Sequence, residues 1–166
     1  MYLSDNTITV TAGDDGIHAS GDLVIDSGTY TVKNSTEGLE GKSITINGGD
    51  ITIYSTDDGV NAANANASQS EVFFKMTGGT LNVEVGQGDT DPIDSNGDII
   101  VSGGTINLTG QSGFDFDGSA TYTGGDITIN GEKQTKIENS MPGGGGPQGG
   151  GGPQGGGQPG GFGGGH

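Results

Sequence analysis

Five stretches of this chain carry chemically capable side chains in one repeated order: an acid or polar residue, a turn residue, an apolar residue, then a polar one. They are Asp14-Asp15-Gly16-Ile17-His18, Thr36-Glu37-Gly38-Leu39-Glu40 and Asp57-Asp58-Gly59-Val60-Asn61. Weaker copies follow at Thr90-Asp91-Pro92-Ile93-Asp94 and Gln111-Ser112-Gly113-Phe114-Asp115. A self-similar period of about 21 residues marks a solenoid. Solenoid coils lie about 4.8 Å apart, the spacing of paired strands. The repeat therefore stacks Asp15, Glu37, Asp58 and Asp91 in one column. It stacks His18, Glu40, Asn61, Asp94 and Asp115 in a second, with Asp14, Asp57, Asp89 and Asp117 nearby. Two unit charges at that distance repel by roughly 3 kcal/mol at an effective dielectric near 20. Either the loops splay these acids into water or a cation neutralises them. Calcium suits the second outcome, because it takes roughly six to eight oxygens from carboxylates, amides and backbone carbonyls. A single Asp-Gly is only a good turn; a stacked set points to calcium (Ca2+) held between coils. His18 reads as a capping or hydrogen-bonding residue rather than a ligand.

The elements that must position these acids are short strands. Each coil is expected to have three short strands with sharp glycine corners, two of them alternating apolar runs, clearest in Ser43-Ile44-Thr45-Ile46, Gly48-Gly49 and Asp50-Ile51-Thr52-Ile53. The corner glycine recurs as Gly28, Gly49, Gly79, Gly104 and Gly125, where positive φ or a close backbone approach is expected. Unequal spacing between them places loop insertions around 62–72 and 85–90. Aligning the coils predicts five inward columns: Leu23, Ile44, Phe74, Ile99; Ile25, Ile46, Met76, Val101, Tyr122; Tyr30, Ile51, Leu81, Ile106, Ile127; Val32, Ile53, Val83, Leu108, Ile129; and Ile17, Leu39, Val60, Ile93, Phe114. The expected fold is all-β, a parallel β-helix of five to six coils over residues 1–140. A Gly/Pro/Gln-rich tail follows at 141–166. That tail cannot bury a core. It reads as a linker, or as a strand that docks on a neighbouring subunit; extended, it reaches roughly 75 Å at ~3.1 Å per residue.

Composition narrows the function. Hydrophobic residues make up 28% and mean hydropathy is −0.40, too little for an ordinary globular core but enough for a solenoid's narrow one. With 21 acids, five Lys and no Arg the net charge is −16, so nucleic acid and anionic membrane are disfavoured as partners. There is no Cys, hence no disulfide framework or zinc-thiolate site. No apolar run is long enough to span a membrane. No signal peptide is read, and the chain enters a strand almost at once, which predicts a mature or trimmed product. The Gly, Ser, Thr, Asn and Asp bias, typical of secreted β proteins, predicts an extracellular one.

Asp14-Asp15-Gly16-Ile17-His18-Ala19, Glu37-Gly38-Leu39-Glu40-Gly41, Gly48-Gly49-Asp50-Ile51-Thr52-Ile53 and Asp57-Asp58-Gly59-Val60-Asn61-Ala62 resemble the bacterial carbohydrate-binding β-helix family known from clostridial cellulose- and pectin-binding surface proteins. The resemblance covers about residues 10–130. It implies a right-handed parallel β-helix, pectate-lyase-like in fold but binding cellulose and acidic polysaccharide rather than cleaving it. It also implies calcium at Asp14, Asp15, Glu37, Glu40, Asp57, Asp58 and Asn61. Pro92 stands where the pattern has glycine, and Ser112 where it has an acid.

Catalysis is disfavoured. Lyase chemistry needs an Arg or Lys base beside calcium-bound sugar, and Lys33, Lys42 and Lys75 lie outside the acid columns. Neutral glycans need aromatic platforms; Tyr30 and Tyr122 fall in inward columns, leaving Tyr54, Phe73 and Phe116 as outward candidates. Self-assembly is a further reading. Open solenoid ends expose unpaired strands, no cap precedes residue 7, and Lys133–Ser140 offers weak closure after Ile129. A homo-oligomer or filament follows from that. An ice-binding face is disfavoured, because the Thr-x-Thr beginning decays to Asp50, Asn82, Asn107 and Asp126.

Overall fold

Strict alternation, as in Ile51-Thr52-Ile53, turns every second side chain inward and makes strand the stable local form. The computed structural model describes residues 1–88 and 90–140. Asp89 and the segment 141–166, with the expectations resting on them, lie outside the described residues. Fourteen strands carry the fold: β1 (Tyr2–Leu3), β2 (Asn6–Val10), β3 (Ile17–Ile25), β4 (Gly28–Val32), β5 (Leu39–Ile46), β6 (Asp50–Ser55), β7 (Val60–Ala62), β8 (Phe73–Met76), β9 (Thr80–Val85), β10 (Ile93–Ser95), β11 (Asp98–Thr109), β12 (Phe114–Phe116), β13 (Ala120–Ile129) and β14 (Glu132–Lys133). No α-helix occurs among the described residues; a 3-10 turn at Gln69–Glu71 is the one helical element there.

The strands stack in parallel into three faces. The first face runs Ile17, Leu39, Val60, Ile93, Phe114 in register. The second runs Leu23, Ile44, Phe74, Ile99 and, two residues on, Ile25, Ile46, Met76, Val101, Tyr122. The third stacks β2, β4, β6, β9 and the ends of β11 and β13, six layers in all, with Tyr30, Ile51, Leu81, Ile106 and Ile127 aligned. All five expected columns are therefore present, and the third face gains Ile8 and Val10 above Tyr30 and Val32. The architecture is a parallel β-solenoid of about six turns. Its core is one continuous column with most of these side chains fully buried.

The corner glycines divide by physical cause. Gly28, Gly49, Gly79, Gly104 and Gly125 have φ between 84° and 109°, where a side chain is strained. The acid-turn glycines are needed for space instead: a Cβ at Gly16 would lie 2.7 Å from the Gly38 carbonyl, and one at Gly59 would lie 2.6 Å from that of Pro92. Three separate strands per coil were expected. In the first two coils the first two faces are instead joined, in β3 and β5, where a register shift between Ala19 and Asp22 turns the chain without ending the ladder.

Both ends carry more structure than expected. Tyr2–Leu3 pairs with Val24–Ile25, so the first layer begins before Thr7. At the other end Asn130 and Gly131, at φ 52° and 80°, make the tight turn that pairs β13 with β14 antiparallel. The chain then folds across the last coil. Gln134 N donates to Ile127 O at 2.8 Å, Ser140 N to Phe114 O at 2.8 Å, and Asn139 Nδ2 to Phe116 O at 2.6 Å. Ile137 packs on the core end. The 62–72 insertion is the loop that holds the 3-10 turn, where Ser68 Oγ donates to Glu71 Oε2 at 2.6 Å.

Candidate functional site

Each acid turn enters the first face by the same backbone route. Gly16 N donates to Glu37 O, Gly38 N to Asp58 O and Gly59 N to Asp91 O, at 2.8 to 3.0 Å. Those bonds lock Asp15, Glu37, Asp58 and Asp91 one above another. Past the buried apolar residue, His18, Glu40, Asn61, Asp94 and Asp115 pair directly in register. The result is one corner of the solenoid lined by two acid-rich columns.

The expected residues do not share one environment. Asp15, Glu37, Glu40, Asp58, Asn61, Asp91, Asp94 and Asp115 are partly buried along the columns. Asp14, Asp57 and Asp117 are exposed at the rim. Asp89 lies outside the described residues. The corner has two overlapping lobes. In the first, ligand atoms of Asp15, His18 and Glu40 all lie within 4.8 Å of one another. His18 Nδ1 stands 3.2 Å from Asp15 Oδ2 and in direct contact with Glu40 Oε2. Glu37 adjoins this group and feels the charges of Glu40, Asp15 and Asp58. In the second lobe Asp94 feels Asp58, Asp115, Asp91 and Asp117. Asp58 belongs to both lobes.

Burial of negative charge dominates the electrostatics. Loss of water pushes the Glu37 carboxyl up to about 7; a hydrogen bond from Asn61 pulls the other way, and the neighbouring acids push further up. Desolvation likewise raises Asp94 to about 7, with Asp58 and Asp115 adding to it. It raises Asp58 to about 6 against the backbone N–H of Asp91, which donates to Asp58 Oδ1 at 2.9 Å. Glu40 is raised first by burial. His18 is raised by its bond to Glu40. Ser112, standing in place of an acid, donates its hydroxyl to Asp91 Oδ1.

Two acceptors in this corner have no donor among the described residues. Glu37 Oε2 and Asn61 Oδ1 are both buried, and neither has a hydrogen-bond partner among the described residues. Two oxygens facing carboxylates cannot satisfy one another; a proton or a cation can satisfy both. The side-chain donor set of carboxylates and one amide is all oxygen apart from His18, which fits a hard cation such as calcium. His18 was expected to cap or hydrogen-bond, and its bond to Glu40 is one of its contacts; the sequence held no signal that it also meets Asp15.

Tyr30 is fully buried, its hydroxyl donating to Ser27 O at 2.8 Å. Phe73, Phe116 and Tyr122 are partly buried, and of the outward aromatic candidates only Tyr54 is exposed. Among the described residues no helix is long and apolar enough to cross a membrane. In comparisons with known proteins, a family model described as "Carbohydrate-binding domain-containing protein" matches residues 4–141. No curated protein and no solved structure matches the chain.

Proposed function

The chain belongs to the carbohydrate-binding domain-containing protein family, and from that premise we propose that it is an extracellular, non-catalytic binder of acidic polysaccharide whose acid corner holds calcium. The observation that carries this reading is the pair of buried, donorless oxygens, Glu37 Oε2 and Asn61 Oδ1, set among stacked carboxylates. Calcium bound there would neutralise the columns and offer remaining coordination positions to the carboxylates of a uronate chain. Glu37, Glu40, Asp15, Asp58 and Asn61 would hold it in the first lobe, and Asp58, Asp91, Asp94 and Asp115 in the second. Asp14, Asp57 and Asp117, at the rim, would contribute through water. Millimolar calcium outside the cell would fill even weak sites.

The lysines support a binding rather than a cleaving role. Lys42 pairs with Asp22 at 3.2 Å. Lys75 stands between Thr45 and Ile100 on the second face, and Lys33 lies at the end of β4 on the third face. None adjoins the acid columns. The test is retention of the protein on immobilised polygalacturonate in calcium and in excess chelator. Calcium-dependent retention is expected; retention that ignores the chelator would remove the calcium bridge from the reading.

One observation favours a second reading, a subunit of an extracellular homopolymer. Among the described residues Asn6–Val10 is paired on one side only, to Gly28–Val32, and a one-sided strand is a template for another chain. The segment after β13 covers much of the opposite end, so a joint there would have to use the remaining edge near Ala120–Gly125. Light scattering in calcium and in chelator tests this; a monomer in both removes the homopolymer.

A further inference from the structure

The third face carries a feature unconnected with the acid corner. Its outward side chains line a groove of about 360 Å³, within the size range of small-ligand sites. Thr52, Asn82 and Asn107 form the floor, stacked in register. Tyr54 and Glu84 pair in the next outward row. Lys33 heads that row, because it follows Val32, whose partner Ile53 precedes Tyr54.

The polar groups here are oriented but not used up. Thr128 Oγ1 donates to Asn107 Oδ1 at 2.8 Å, and Asn107 Nδ2 donates to Asn82 Oδ1 at 2.8 Å. This fixes both amides and leaves the Asn82 N–H2 group without an acceptor among the described residues. There too, neither Lys33 nor Glu84 makes an ion pair, and the Tyr54 hydroxyl has no partner. Tyr54 is 37% exposed, while the other large exposed hydrophobics, Met1 and Tyr2, lie at the chain's start. An exposed ring flanked by a fixed amide donor, an ammonium and a carboxylate is a surface for a sugar. The C–H face of a pyranose stacks on an aromatic ring, and its vicinal hydroxyls each need a donor and an acceptor.

We propose that the groove around Tyr54 is a second, calcium-independent carbohydrate site that takes a neutral glycan chain. A polyanion is disfavoured there, because Glu84 shares the row with Lys33 and the chain carries a net charge of −16. Tyr54 supplies the platform, Lys33 and the Asn82 amide donate to hydroxyls, and Glu84 accepts from them. The inference rests on the family's carbohydrate binding but not on calcium at the acid corner.

The test uses the full chain in excess chelator, titrated with cellohexaose, xylohexaose and mannohexaose in turn by calorimetry. Binding of at least one is expected. Tyr54→Ala should weaken it at least tenfold, and Tyr54→Phe, which keeps the ring, should retain most of it. Both variants should melt like the parent and keep calcium-dependent retention on polygalacturonate. A parent chain that binds none of the three, or a Tyr54→Ala variant that binds as well as the parent, overturns the site. Polygalacturonate retention reports separately on the acid corner, so failure of one reading is not mistaken for failure of the other.

Discussion

His18 and Glu40 face each other directly across neighbouring coils, with the imidazole Nδ1 against the Glu40 carboxyl. In columns that otherwise hold acids, Asn61 and Ser112, His18 is the only basic side chain. Its bond to Glu40 raises its pKa above the usual histidine value. Calcium that draws in Glu40 and Asp15 would compete with that bond. An NMR titration of His18 should therefore give a pKa above about 6.5 without calcium and a lower one with it. A value unmoved by calcium would place the ion elsewhere.

The buried acids set the pH dependence of stability. Glu37, Asp58 and Asp94 titrate at about 7, 6 and 7 in the fold, above the ordinary carboxyl range near 4. Between those limits the native state binds more protons than the unfolded chain. Their stabilising contribution is thus complete below about pH 4 and is lost as pH rises through 6 to 7. His18, also raised, has the same sign. In chelator the melting temperature should be higher at about pH 5 than at about pH 8, and millimolar calcium should close the gap. The reverse order in chelator would contradict the assignment of burial as the dominant cause.

Asp58 belongs to both lobes, so Asp58→Asn removes one charge from each. Without calcium the variant should be more stable than the parent at about pH 8, because a repelling, partly buried carboxylate is gone. Its calcium affinity should fall, by roughly tenfold or more for the loss of a charged ligand. Thermal melts and calorimetry check the two halves independently.

Corner glycines separate strain from space. Gly49→Ala would force a side chain to φ 92° with its Cβ 2.9 Å from the Gly28 carbonyl. That change should cost at least about 1 kcal/mol. Gly21→Ala meets nothing within 4 Å and has no positive φ, so it should be neutral or stabilise by a few tenths up to about 1 kcal/mol. Urea unfolding of the two variants side by side gives the comparison.

Phe74 is fully buried between Ile44 and Ile99 on the second face. Phe74→Ala leaves a cavity with neighbouring layers too rigid to collapse into it. The expected loss is about 3–5 kcal/mol. Lys75→Ala, on the outward side of the same strand, should change stability by less than about 0.5 kcal/mol.

Much of this molecule follows from one-dimensional pattern. Ile51, Thr52 and Ile53 alternate, Gly49 precedes them, and the same order returns coil after coil. Inward columns, glycine corners and the stacking of His18, Glu40, Asn61, Asp94 and Asp115 are therefore legible without coordinates, because a solenoid converts sequence period directly into spatial neighbourhood. What the period could not convey is depth. Asp57 and Asp58 are adjacent in sequence, yet Asp57 is at the rim and Asp58 is partly buried and shared by two lobes. That difference depends on how neighbouring coils screen each carboxyl from water. The orphaned Glu37 Oε2, the contact of His18 with Asp15, and the groove beside Tyr54 arise the same way. Closure of the last coil by Lys133–Ser140 is legible in the sequence only weakly, since a short polar segment shows no period of its own; its place is set by the carbonyls of Ile127, Phe114 and Phe116 that it satisfies. Repetition determined which residues meet; packing between coils decided which of them lost their water.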